Sequence, residues 1–137
     1  MHYQLMIPLD VRLANFLGTV AFVADKEIQR AVWIDKVPGI TSIISIGELY
    51  CQFFDDNDMD GFIKDEMDES PLSTAQKSAI VQFSGALGVV EKLPSYADGD
   101  DGQTIESREW NALVKCAKGT LVTFAEYRVQ PLPVHYS

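Results

Sequence analysis

The sequence predicts an all-α protein. Apolar residues recur every three or four positions along most of the chain, and helix-start signals precede these runs. The alternation of apolar and polar residues that is typical of a half-buried strand occurs only in very short pieces inside loops. With 137 residues, 47% of them hydrophobic, the chain is the size of one domain and can bury a core.

Two helices are predicted in residues 1–41. The first starts after Asp10, which caps it, and runs to about Ala24. Its apolar run, residues 13–24, is about half the length that a membrane span needs, so we interpret it as a buried core helix. The second is opened by Asp25 and runs to about Lys36, where Val-Pro-Gly at 37–39 stops it.

Four further helices are predicted in residues 42–118. The first of these runs from Ser42 into an acidic loop, and the short helix after that loop is closed by Pro71. Ser73 and Gln76 form a capping box for a long helix, which Pro94 ends. The last follows a second acidic stretch, and its inner face is Trp110, Leu113, Val114 and Ala117.

Residues 119–137 form a C-terminal segment and tail. Residues 120–127 are apolar enough to continue as a helix or to form a short strand, and we leave both alternatives open at this point. The remainder contains two prolines and is expected to be extended.

The negative charge of the chain is concentrated in two short stretches. Residues 55–69 contain eight acids against Lys64, and residues 98–109 contain five against Arg108. The net charge is −9, but these stretches contribute −11, so the rest of the chain is slightly positive. This distribution argues against binding to a nucleic-acid backbone and favours a local cation site.

The only cysteines are Cys51 and Cys116, which is too few for a disulfide framework. A reduced, cytoplasmic protein is the expectation, with a single bridge between them as the alternative. Neither a signal peptide nor a membrane span is predicted.

The first acidic stretch has the chemistry of a calcium loop. Asp56, Asp58 and Asp60 alternate and are followed by Gly61, as in a short loop that wraps an ion with oxygen ligands. The carbonyl of Phe62 would add a further ligand. This pattern, followed by the apolar Ile63, resembles the EF-hand family.

The resemblance implies a ligand at the twelfth place of the loop, where the family has a glutamate that supplies two oxygens. Here that place is Met67, a poor calcium ligand. Glu66 or Asp68 could replace it only if the following helix shifted. We therefore expect weak binding at this loop.

The second stretch departs from the family pattern in the opposite place. Aligning Ile105 with Ile63 makes Asp98, Asp100, the carbonyl of Thr104, and Glu109 the ligands that the resemblance implies. Glu109 is the glutamate of the twelfth place. However, Gln103 stands where the family has its glycine, which costs on the order of 1 kcal/mol if the backbone is left-handed there.

The resemblance implies one EF-hand-like lobe over residues 42–118, in which the two loops pair through a small antiparallel bridge between Ile63 and Ile105. Residues 1–41 and 119–137 would add helices and a tail to this lobe. The predicted metal ligands are Asp56, Asp58, Asp60, Phe62, Asp98, Asp100, Thr104 and Glu109.

Three functions remain compatible with the sequence. The first is a calcium-binding protein that changes its contacts with a protein or peptide-helix target when the ion binds. The second is a calcium-independent subunit similar to myosin light chains, with degenerate, empty loops. The third is an extracellular or storage role at millimolar calcium. No catalytic motif is recognisable, so an enzyme is not expected.

Overall fold

The computed structural model describes residues 7–39 and 45–127, and it confirms the all-α fold class. The helices are α1 (Leu9–Ala24), α2 (Lys26–Gln29), α3 (Ile46–Tyr50), α4 (Met59–Asp65), α5 (Thr74–Glu91), α6 (Pro94–Ala97), α7 (Asp101–Ile105) and α8 (Arg108–Thr123). Wider π-helical turns extend α2 and α3 over Arg30–Ile34 and Cys51–Asp56, and a 3₁₀ turn covers Met67–Glu69. No strand occurs in the described ranges.

Side-chain caps set most of the helix starts. Asp25, Ser45 and Ser107 each accept a hydrogen bond from a backbone N–H in the first turn that follows. Ser73 and Gln76 form the predicted capping box of α5. The first helix differs from the prediction, since Pro8 is its cap and Asp10 lies within its first turn.

Two other boundaries can be compared with the prediction. The predicted start at Ser42 lies outside the described residues, and α3 begins at Ile46 instead. The open alternatives for residues 120–127 resolve to the end of α8 at Thr123, followed by turns. The tail after Tyr127 lies outside the described residues.

The core is centred on Phe16 of α1, which is fully buried. Its ring lies 6.0 Å from Phe53, 5.7 Å from Phe83 and 5.9 Å from Phe124, measured between ring centroids. These partners come from the 51–56 turn, from α5 and from the residue after α8. One side chain of α1 therefore joins three distant parts of the chain, and α8 packs on both α1 and α5.

A second buried cluster joins the π-helical turn at Arg30–Ile34 to α8. Trp33 lies 5.4 Å from Phe22 and 5.7 Å from Trp110 between ring centroids. Gln29 is completely buried beside them. Its amide nitrogen donates to the carbonyls of Phe22 and Val23, and its oxygen accepts from the indole N–H of Trp110 at 2.9 Å. The buried amide is thus fully paired, as its burial requires.

The bridge that the resemblance implied is not formed. Ile63 lies inside α4 and is partly buried, while Ile105 is the last residue of α7 and is fully buried. Both residues have helical backbones, so neither offers the extended backbone that a strand bridge needs. The predicted pairing of the two loops is corrected accordingly, and helix packing holds the structure together.

Two further predictions have outcomes in the fold. Cys51 is exposed and Cys116 is partly buried, and both are free thiols, so the alternative of a bridge between them does not apply. Among residues 7–39 and 45–127, no helix combines the length and the hydrophobicity that a membrane crossing requires.

We expect Phe16→Ala to lower the free energy of unfolding by about 3–5 kcal/mol, because it removes the ring on which the other three phenylalanines pack. Urea unfolding followed by circular dichroism measures this. Val11→Ala on the same helix, at a position 45% exposed, is the control and should change stability by less than about 0.5 kcal/mol. Equal effects of the two substitutions would contradict the assignment of Phe16 to the centre of the core.

Candidate functional site

In the first acidic stretch, Asp58 is a helix cap. Its backbone is left-handed (φ 46°, ψ 53°), and its carboxylate accepts from the backbone N–H of Gly61 at 3.3 Å. The helix α4 therefore begins at Met59, in the middle of the predicted calcium loop. An aspartate tolerates the left-handed region better than most residues do.

Gly61 permits a close approach of a side chain and does not form the sharp turn that a calcium loop needs. It lies inside α4 and does not have a positive φ. A Cβ atom at this position would lie 2.5 Å from the Oδ2 atom of Asp58. The glycine thus permits the close approach of the capping carboxylate, whereas an EF-hand loop would use it for a sharp turn.

Asp56 ends the 51–56 turn and lines a polar cleft of about 200 Å³. The other lining residues are Asn15 and Thr19 from α1, and Gln52 and Asn57. Asn57 is buried, and its amide donates to the carbonyl of Arg12 at 3.0 Å. Every residue that lines the cleft carries a side-chain oxygen.

Asp60 lies apart from Asp56. It lines a different pocket, on the side of the 51–60 segment that faces α5 and α6. The carbonyl of Phe62, the predicted backbone ligand, accepts from the N–H of Glu66 at 2.9 Å as α4 ends. The structure therefore distributes the predicted ligands of this stretch over a cleft, a helix cap, a second pocket and a helix end.

Of the two candidate replacements for the twelfth ligand, Glu66 is already paired and Asp68 is exposed in the 67–69 turn. Glu66 forms an ion pair with Arg12 at 3.1 Å, and the guanidinium also lies 4.9 Å above the ring of Phe62. Arg12 is 2% exposed, so the carboxylate of Glu66 is needed where it is, to neutralise a buried charge. Met67, at the twelfth place, is itself buried in the core.

One acid of the second acidic stretch, Asp100, is also a helix cap. Asp100 accepts from the N–H of Gln103 at 3.0 Å and starts α7. Asp98 is exposed at the end of α6, and Glu109 is partly buried in the first turn of α8. Thr104 is fully buried, and its carbonyl accepts from the N–H of Ser107 at 3.1 Å.

Asp101 connects the second acidic stretch to α3. Its carboxylate accepts from the backbone N–H of Ile46 at 3.4 Å. Burial raises the pKa of Asp101, and the charge of Asp100 raises it further, while the bond from Ile46 acts in the opposite direction. The hydrogen bond joins the first residue of α7 to the first residue of α3.

The structure brings few of the predicted ligands together. In residues 7–39 and 45–127, no three acidic, histidine or cysteine side chains form a group that could hold a metal ion. The oxygen-lined cleft at Asp56 depends instead on amides and a hydroxyl. Asn15 and Thr19 stand four residues apart in an otherwise apolar stretch of α1, and this spacing is the sequence signal that could have identified them.

No protein-family model, curated protein or solved structure matches this chain.

Two glycine substitutions test the capping role of Asp58. Gly85→Ala on the exposed face of α5 should stabilise the protein by about 0.4–1 kcal/mol, because a Cβ atom there meets nothing and restricts the unfolded chain. Gly61→Ala should give no gain, since its Cβ displaces the Asp58 cap, which is worth about 0.5–2 kcal/mol. Thermal unfolding measures both, and equal gains would contradict this cap.

Asp101→Asn should make the protein more stable at neutral pH. The pKa of Asp101 is raised on folding, so the folded state binds the extra proton and stability falls as the pH rises through the ordinary and then the folded pKa. The amide keeps an oxygen acceptor for Ile46 but carries no charge. The difference from the wild type should disappear at low pH, where the carboxyl group is protonated in both states.

Urea unfolding between pH 3 and pH 7 follows this difference. Asp98→Asn, at an exposed position in the same stretch, is the control for the change in net charge. If the difference in free energy of unfolding between Asp101→Asn and the wild type stayed constant with pH, the charge of this carboxyl group would not destabilise the folded protein.

Proposed function

We propose that the protein binds calcium weakly at the first acidic stretch and acts through contact with another protein. The observation that carries the proposal is the cleft at Asp56, whose lining residues all carry a side-chain oxygen: a carboxylate, three carboxamides and a hydroxyl. One of the carboxamide oxygens, that of Asn57, already accepts from the amide of Asn15 at 3.5 Å. Calcium takes six to eight oxygen ligands and accepts carboxylates, amide oxygens and water. The cleft combines these groups with room for water.

The charge of the segment that contains the cleft supports binding of a cation. Asp55, Asp56, Asp58 and Asp60 are all exposed and close in sequence. The ion pairs within residues 7–39 and 45–127 are Arg12–Glu66 and Arg30–Glu106, so none of these four aspartates is neutralised by a described basic side chain. A bound cation would lower their mutual repulsion.

The position of the cleft supports an effect of the bound ion on the surface formed by the 51–56 turn and the start of α4. Asn15 and Thr19 belong to α1, whereas Gln52 and Asp56 belong to the 51–56 turn, so a bound ion would join these two elements. Ion binding would then restrain the turn and the exposed start of α4, and a partner protein would recognise that surface.

Weak binding is expected because the cleft has one carboxylate. We expect a dissociation constant of roughly 10⁻⁴–10⁻³ M, the range of calcium modules with few charged ligands. Titration calorimetry of the chelator-treated protein with calcium chloride measures it. Asp56→Ala should abolish the heat of binding, while Asp68→Asn, an exposed acid outside the cleft, should leave it unchanged.

The same titration shows whether calcium binds at the cleft or at the second acidic stretch. Heat that persists in Asp56→Ala and is lost in Glu109→Gln would move the site to residues 98–109 and overturn the assignment to the cleft. Absence of heat in the wild type at millimolar calcium would overturn calcium binding altogether.

A calcium-independent binding subunit is the second candidate. It is favoured by the helix-capping roles of Asp58 and Asp100, because two of the acids that the resemblance assigned to ions already stabilise helix starts. The capped helices would hold one shape with or without an ion. This candidate predicts a circular dichroism spectrum and a thermal midpoint that do not respond to calcium or to chelator.

A further inference from the structure

A second pocket lies beside the 51–60 segment, on the side opposite to the oxygen-lined cleft. Its volume is about 470 Å³, and its walls come from α3, the 51–56 turn, α5 and α6. This is within the range of about 300–1,000 Å³ that is usual for small-molecule sites. The side chains that give it its chemistry are Tyr50, Phe54, Tyr96, Asp55, Asp60 and Glu91.

Three aromatic rings are clustered in this wall. Tyr50 and Phe54 are stacked with their ring centroids 5.8 Å apart, and Tyr96 lies 5.0 Å from Tyr50. The hydroxyl of Tyr50 donates to the carbonyl of Leu87, so its polar end is already occupied. Tyr50 is only 6% exposed, whereas Phe54 and Tyr96 are partly exposed, so these two rings present aromatic surface to the pocket. Aromatic π systems attract cations.

The charges in the pocket have one sign. Asp55, Asp60 and Glu91 are exposed acids that line it, and none of the described lining residues is basic. The pKa of Tyr96 is raised by burial first and then by the negative charge of Glu91, as expected in a field that disfavours a further anion. Aromatic faces and carboxylates both favour the same class of ligand, a cation.

Two small residues of α5 also line the pocket. Ser84 lines it, and the hydroxyl oxygen of Ser84 is buried without a hydrogen-bond partner in the part of the chain that the structure describes. Gly88 lines the same wall, and a Cβ atom there would meet nothing within 4 Å. The missing side chain at Gly88 leaves open the space that a ligand would fill.

From this combination we propose that the pocket binds a substituted ammonium group, with the rings of Phe54 and Tyr96 contacting its alkyl substituents and the carboxylates of Asp55, Asp60 and Glu91 neutralising its charge. Tyr50 packs against both rings and holds them in place. The ligand is an organic cation, since a bare metal ion would gain little from the aromatic rings, whereas an alkylammonium uses both kinds of wall.

Choline and its neutral isostere 3,3-dimethylbutan-1-ol test the charge requirement, because the two differ only in the nitrogen that carries the charge. Titrations followed by tyrosine resonances in NMR spectra should show saturable binding of choline. The isostere should bind at least about tenfold more weakly. Equal affinities for the two, or no shift with choline at 20 mM, would overturn the proposal.

Point variants locate the binding in this pocket. Tyr96→Leu should weaken choline binding by about 2- to 30-fold, as expected for loss of one cation–π contact. Glu91→Gln, at an exposed position, should weaken it without affecting the fold, and Asp68→Asn is the control that removes one charge outside the pocket. Unchanged binding in both Tyr96→Leu and Glu91→Gln would overturn the assignment.

Two glycines of α5 give a matched steric test. Gly88→Leu should fill the pocket and prevent choline binding, while Gly85→Leu, on the same helix but outside the pocket, should leave it intact. Binding that survives Gly88→Leu would overturn the site. Asp56→Ala, which removes the proposed calcium ligand, should keep choline affinity, so failure of one proposal does not imply failure of the other.

A further titration separates two sources of the ammonium group. N-acetyl-lysine N-methylamide carries the side chain that a partner protein would present, whereas choline represents a free small molecule. Preference for choline would assign the pocket to a small-molecule amine, and preference for the lysine derivative would assign it to a lysine of a partner. Both assignments require that choline binds, because the proposal is overturned if choline does not.

Discussion

The packing of three phenylalanines around Phe16 is the constraint on which the rest of the structure depends. The helices α2, α3, α4, α6 and α7 have four to seven residues each, and helices of that length are not stable in isolation. They exist because the long helices α1, α5 and α8 form a core that they can pack against. Phe16 joins these long helices to the 51–56 turn, so the acidic stretch that follows is held at a fixed place.

Two acids of the two acidic stretches cap helices, and this role limits how they can bind an ion. Asp58 and Asp100 satisfy backbone N–H groups at the starts of α4 and α7. An isolated helix start leaves several such groups unpaired, and a carboxylate both accepts from them and interacts favourably with the helix dipole. Each cap uses one carboxylate oxygen, so only the other oxygen of each residue is free to bind an ion.

The 51–60 segment has different chemistry on its two sides. Asp56 faces a cleft shared with α1, where oxygen atoms from amides and a hydroxyl surround it. Asp55 and Asp60 face a pocket shared with α5 and α6, where aromatic rings accompany the acids. Residues that are neighbours in sequence thus line two different cavities, the one proposed for calcium and the one proposed for an ammonium group.

The sequence by itself determined the helical class and several boundaries. The capping box at Ser73, the cap at Asp25 and the termination before Pro94 are local interactions within a few residues, so they can be recognised without knowledge of the fold. The concentration of charge in two stretches is likewise a property of the sequence alone.

Only the tertiary structure decided where the acidic side chains lie. The alternation of Asp56, Asp58 and Asp60 is compatible with a loop that wraps an ion. In the structure, however, Met59 lies between two of these aspartates, is buried in the core and is the first residue of α4. The partners that complete each site, Asn15 for one and Tyr96 for the other, lie about forty residues away in sequence. Contacts at that separation depend on how the helices pack around Phe16, and periodicity within a single segment contains no information about them.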